Sequence, residues 1–211
     1  MAGVDDLLAG SADRWAKAER RAEGIADKGL DQAVKRYFTT YFPTGMVLLF
    51  VVGAGVGLLL FQGEWAASLS YLFAGIALAY LGAIAGGIVY NAKVIGPAVE
   101  MGRINVLMSL QPHEQKQLRR EILGKIPATP EHLVVKRAAA VRERKGLATQ
   151  LILIIPILEL QFLVQLLNSR NSTWWWLIVL VGTAVTLAIA VPIREFRALG
   201  RFLTDTQQML D

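Results

Sequence analysis

Cysteine is absent from the 211 residues, which excludes disulfides and thiolate metal sites and leaves the redox compartment unread. Histidine is nearly absent too. The two present, His113 and His132, fall in the first turns of expected helices, where solvated positions are ordinary, and no carboxylate pair at ligand spacing accompanies them. No metal site is expected, and apolar segments without histidine could not hold a haem between helices. Phosphate-cradling glycine loops and nucleophile elbows are missing as well. There is no internal period of roughly 20–50 residues, and Trp174-Trp175-Trp176 is the sole low-complexity tract. These absences point away from an enzyme, and no cofactor is expected.

Apolar residues are what the chain has in excess, 54% of the total with a mean hydropathy of +0.43, against about 45–50% in an ordinary soluble domain. They concentrate in four stretches, 43–62, 66–90, 147–167 and 174–193. Each is near the ~20 residues with which a helix crosses a bilayer. The expected fold is an all-α integral membrane protein with four transmembrane helices. The first apolar run opens at Pro43 and is too long for the core of a signal peptide, so it is expected to stay as an anchor.

Outside the spans the pattern is amphipathic. Residues 1–42 read as a charged helix with Leu8, Trp15, Ala18, Ala22 and Ile25 on one side. Beyond Gly24 and Gly29 a second stripe follows, Leu30, Val34, Tyr37, Phe38 and Tyr41, with Lys28, Lys35 and Arg36 on other faces, which fits a helix in the headgroup layer. Residues 91–146 read as a cytoplasmic helical hairpin between the second and third spans. Gly96-Pro97 ends the second span, Met101, Ile104, Leu107 and Met108 line a short helix, and Pro112 starts another with Leu118, Ile122 and Ile126 on one side. Pro127 is the hinge. Thr129-Pro130-Glu131 then sets an N-cap hydroxyl, a proline at the first helical position and an acid in the first turn, predicting a helix from there into the third span. The tail, 194–211, reads as a separate amphipathic helix carrying Phe196, Leu199, Phe202 and Leu203.

Charge orients this arrangement. Seven Lys and Arg precede the first span, eleven lie in 91–146, one in the link after the third span and three in the tail. By the positive-inside rule both termini and the long connection are cytoplasmic, in a membrane of the bacterial cytoplasmic type. Lys136, Arg137, Arg142, Arg144 and Lys145 crowd the entry to the third span, where each basic residue near anionic lipid headgroups contributes about 1 kcal/mol. Such a run is ordinary topology-setting charge, so no nucleic-acid partner is expected.

Within the spans, small residues and one acid stand out. Gly53 and Gly57 in the first span, and Gly75, Ala79, Ala83 and Gly87 in the second, recur at fourth positions and form shallow faces for close helix packing. Glu159 lies near the middle of the third span, where an acid costs on the order of 2.5–3.5 kcal/mol to insert. None of the spans contains Lys or Arg, so Glu159 is expected to be protonated, to be hydrogen-bonded by Tyr80, Thr183 or Thr186, or to meet a proton or cation from elsewhere. Gln150, Gln161, Gln165 and Asn168 share another sector of the same helix, about 160° from Glu159 at Gln161. A helix polar on both sides belongs at the centre of a bundle or against another subunit, so a homo-oligomer or a larger membrane complex is expected. The leading expectation is a membrane interaction protein; an oligomeric channel or proton- or cation-coupled translocator using Glu159 is the alternative.

Overall fold

The computed structural model describes residues 2–60, 68–102, 105–127, 129–168 and 175–208. Its described residues are 84% helical, with one two-residue antiparallel pair, and four of its helices are long and apolar enough to cross a membrane. In chain order the elements are α1 (Ala2–Ala22), β1 (Ala26–Asp27), α2 (Leu30–Arg36), a π-helical turn (Tyr37–Tyr41) and α3 (Phe42–Leu60). Then come α4 (Ser68–Tyr90), a second π turn (Asn91–Ile95), β2 (Val99–Glu100), a 3-10 turn (Val106–Ser109), α5 (Pro112–Ile122), α6 (Leu133–Asn168) and α7 (Trp175–Gln207).

The chain divides into two compact units. Unit one comprises Met1–Leu30, Ala98–Leu147 and Ile193–Asp211, and unit two comprises Asp31–Pro97 and Ala148–Pro192.

Unit one has a conventional buried core. Ala18 and Ala22 of α1, Leu118 and Ile122 of α5, Val135 and Ala138 of α6, and Leu199 and Leu203 of α7 are all buried. Fully burying a leucine or isoleucine contributes about 1.5–3 kcal/mol. The start of α5 is fixed locally, because the Glu114 carboxylate accepts the Gln111 N–H at 2.6 Å across the first turn. Its end is fixed by Gly124, whose φ of 69° lies in the left-handed region.

Four local expectations are corrected. Residues 1–42 are not one helix: the chain turns after α1, and β1 pairs Ala26 with Glu100 and Asp27 with Val99. The Asp27 side chain then accepts the N–H groups of Gly29 (3.0 Å) and Leu30 (2.8 Å), restarting the helix as α2. The short helix expected around Met101 is instead β2 followed by the 3-10 turn. Val106 is buried there while Met108 is 75% exposed, and Ile104 lies outside the described residues. Finally, α6 begins at Leu133 and not at Thr129, after a turn in which His132 takes a φ of 53°. The tail is likewise no separate helix, since α7 continues through Pro192 to Gln207.

Unit two shows the opposite surface. Large apolar side chains are exposed along its helices, Leu59 to 79% and Leu187 to 69%, with Val47, Leu48, Val51 and Leu180 among others. So much outward apolar area is incompatible with water and natural in hydrocarbon. Inside the unit, glycine permits backbone contact between α3 and α4. A methyl placed on Gly53 would stand 2.7 Å from the Ala74 carbonyl oxygen, and one on Gly75 would stand 2.8 Å from that of Phe50. Gly87 of α4 faces α6 in the same way, with 3.2 Å available to the Ile152 carbonyl oxygen. The Thr149 hydroxyl of α6 donates to Asn91 Oδ1 at 2.9 Å at the end of that contact.

Candidate functional site

Glu159 of α6 is half-buried in unit two, and the Tyr80 hydroxyl of α4 donates to its Oε2 at 3.3 Å. That is long for an O–H···O bond, whose usual length is about 2.7–2.8 Å, so the acid is oriented weakly. Thr183 and Thr186 are not part of this site. Their hydroxyls donate to the carbonyls of Val179 (2.8 Å) and Gly182 (2.9 Å) one turn back in α7, the usual local outlet for threonine in a helix.

The amide stripe of α6 is only partly gathered. Gln161 and Gln165 line a recess of about 290 Å³ with Phe162, Leu177, Val181 and Gly182, while Gln150 is exposed elsewhere on the helix. The Asn168 side chain, the link at Gly63-Glu64-Trp65 and Trp174 lie outside the described residues. The Phe162 ring lies over Gly182, so a glycine on α7 admits an aromatic ring from α6. Of the small residues singled out in α3 and α4, Gly53, Gly57, Gly75 and Gly87 stand where another helix comes close. Ala79 is buried and Ala83 lines a cavity.

The basic cluster before the third span is where the structure departs most from expectation. Lys136 is 3% exposed and its Nζ meets the Glu121 carboxylate at 2.5 Å and the Thr129 carbonyl at 2.9 Å. Arg144 is buried too, with Nη1 2.8 Å from Asp27 Oδ2 and Cζ 4.4 Å from the centre of the Phe196 ring. Arg137 donates to the Leu203 carbonyl at 3.3 Å, to Thr206 Oγ1 at 3.1 Å and to Gln207. These three side chains hold unit one together, and Lys136 and Arg144, being buried, are not offered to headgroups. Arg142 and Lys145 remain partly exposed.

The Lys136–Glu121 pair lines a cleft of about 490 Å³ in unit one that the sequence did not announce. Trp15 of α1, His113 and Gln117 of α5, and Thr129, Glu131 and His132 of the turn into α6 are among its walls. Trp15 and His132 stack with ring centroids 4.2 Å apart and planes at 11°, and His132 Nδ1 lies 2.8 Å from Glu19 Oε1. Both histidines line one cleft, His113 from an exposed position in the first turn of α5, as expected, and His132, at a φ of 53°, with its ring stacked on Trp15. At the cleft floor, burial raises the pKa of Glu121. Hydrogen bonds from Lys136 and the Thr129 N–H, and the Lys136 charge, outweigh it and hold the carboxyl below its ordinary value. Glu114 is likewise held low: burial raises it, and Arg14 at 3.2 Å with the Gln111 N–H prevails. One signal of this was present in the sequence. Glu121 stands three residues after Leu118 and next to Ile122, on the apolar side of α5, where an acid needs a partner. No family model, curated protein or solved structure matches this chain.

Proposed function

We propose that this is a non-enzymatic multi-pass membrane interaction protein, a scaffold, sensor or accessory subunit, that meets its partner through unit one. In this reading the four apolar helices anchor it in a cytoplasmic-type membrane as part of an oligomer or larger complex. Both termini and the helical connection lie on the cytoplasmic side, and α1 is the amphipathic N-terminal helix. What supports it most is the cleft of unit one: a separate buried core presents an open recess with an aromatic wall and charges of both signs fixed in internal pairs. A recess with that lining suits a polar protein segment. Placing a photo-crosslinking amino acid at Gln117 or Glu131 in cells tests it. An adduct of one defined mass at these positions is expected; no adduct at either would end the reading.

A second reading is kept by one observation, the Tyr80–Glu159 hydrogen bond among the spans. Under it, Glu159 binds a proton or cation during translocation through an oligomer. Proteoliposomes carrying the purified protein should then show flux that Glu159→Gln abolishes, and parent vesicles no leakier than empty ones would reject it.

A further inference from the structure

At one end of α3 and α4 lies a cavity of about 520 Å³, all of it within unit two. Its deep wall is Gly45, Met46, Gly82 and Gly86, and its mouth is Tyr37, Tyr41, Tyr90 and Lys93. Both π-helical turns of the described chain border it: Tyr37–Tyr41 leads into α3, and Asn91–Ile95, with Lys93, leads out of α4. Such turns are uncommon and recur at functional sites, because an inserted residue re-aims side chains that a regular helix would place elsewhere.

The chemistry of the mouth is specific. The rings of Tyr37 and Tyr41 lie 5.0 and 5.2 Å from that of Tyr90, and the Arg36 guanidinium stands 5.8 Å from the centre of the Tyr41 ring. The Tyr90 hydroxyl is spent on the Ala33 carbonyl at 2.8 Å. Tyr37 is only 3% exposed, and its hydroxyl lies 3.2 Å from where a methyl on Gly87 would stand, on the side of α4 that meets α6. The lining includes a lysine and no carboxylate, so the mouth favours an anion. From Lys93 back to Gly82 the helix rises about 16 Å, into a segment whose flanks expose Leu81, Ile88 and Val89 to the surroundings. An occupant therefore needs an anionic head and a long apolar tail, and must arrive from the bilayer.

We propose that this cavity is a binding site for one anionic phospholipid, its phosphate held by Lys93 of the lining and by Arg36 beside Tyr41, and an acyl chain lying along Gly45 and Gly86. Basic pockets between membrane helices are suited to such headgroups. The glycines here keep a groove open: a methyl added at Gly45 or Gly86 meets no neighbour within 4 Å. A leucine at either position fills the groove without displacing a helix.

Native mass spectrometry of the full-length protein, released from detergent containing either phosphatidylglycerol or phosphatidylcholine, tests this. The parent is expected to retain one phosphatidylglycerol at a concentration at least tenfold below that needed for phosphatidylcholine. Arg36→Gln with Lys93→Gln, both exposed, should remove that preference and leave phosphatidylcholine retention unchanged. Gly86→Leu and Gly45→Leu should lose both lipids, whereas Gly55→Leu, with equal free space on α3 and outside the cavity lining, should retain them. Equal retention of the two lipids by the parent would overturn the proposal. So would undiminished phosphatidylglycerol binding in the Arg36 and Lys93 double variant, or a lipid-free dimer in which a second copy fills the groove. Should a leucine variant melt below the parent, the surface double variant decides alone.

Discussion

Replacing Lys136 by methionine should be among the most damaging single changes in unit one. The Lys136 and Glu121 side chains are each 4% exposed, with 2.5 Å between nitrogen and oxygen. At an effective dielectric of about 20, charges at that distance attract by roughly 6–7 kcal/mol. Removing two ions from water costs several kcal/mol each, so the pair contributes little net stability. The asymmetry lies in breaking it. Lys136→Met leaves Glu121 charged or forces it to bind a proton in a buried place, with an expected loss of about 3–5 kcal/mol. Lys136→Met combined with Glu121→Leu removes both charges, and the released Thr129 groups are exposed enough to bond to water. That double variant should lie within about 1 kcal/mol of the parent. Urea unfolding of the purified protein in one detergent, followed by far-ultraviolet circular dichroism, measures both. A single variant as stable as the parent, or a double variant as unstable as the single, would refute the reasoning.

Acid should act on the same pair. Glu121 and Glu114 have folded pKa values below their ordinary value of 4.5, so their stabilisation is complete above it and is lost as pH falls through the lowered folded values; a urea midpoint that does not fall below pH 4.5 would contradict this. Asp27→Ala removes both the cap of α2 and the carboxylate beside buried Arg144, and should cost more than the ~1 kcal/mol of a lost cap alone, with Asp27→Asn retaining part of the cap; equal urea midpoints for the two variants would contradict it. Within α3, Gly53→Ala should lower the thermal midpoint because its methyl meets the Ala74 carbonyl, while Gly55→Ala, with open space around it, should raise stability by up to about 1 kcal/mol; melting curves in one detergent compare them.

The apolar helices were legible because membrane insertion writes itself into composition: about 20 uncharged residues in a row have few other uses. Charge outside them was less transparent, since Lys136 and Arg144 look in sequence like any basic residue before a span. Their partners, Glu121 and Asp27, lie 15 and 117 residues away, and only the folded unit brings them together. Thr129-Pro130-Glu131 is a sound local helix start that tertiary contacts override. Glu121 takes the Thr129 N–H at 3.3 Å and Lys136 takes its carbonyl, which holds the segment out of α6. Asp27 was readable as a cap before Leu30 but was masked by the apolar stripe running across Gly24 and Gly29. The π turns have no sequence signature at all, so the tyrosine-lined cavity emerges only from the structure. Of the site expected around Glu159, Tyr80 was found by elimination among the few polar groups of the spans, whereas Thr183 and Thr186 satisfy themselves within α7.

The central claim is that four helices cross the membrane and leave unit one on the cytoplasmic side. A chain without native cysteine permits a direct measurement with single substitutions and a membrane-impermeant thiol reagent. Ser172→Cys, in the link between the third and fourth spans, should label in intact cells, and Glu131→Cys, on the cleft of unit one, only after permeabilisation. Labelling of Glu131→Cys in intact cells, or protection of Ser172→Cys, would contradict the account.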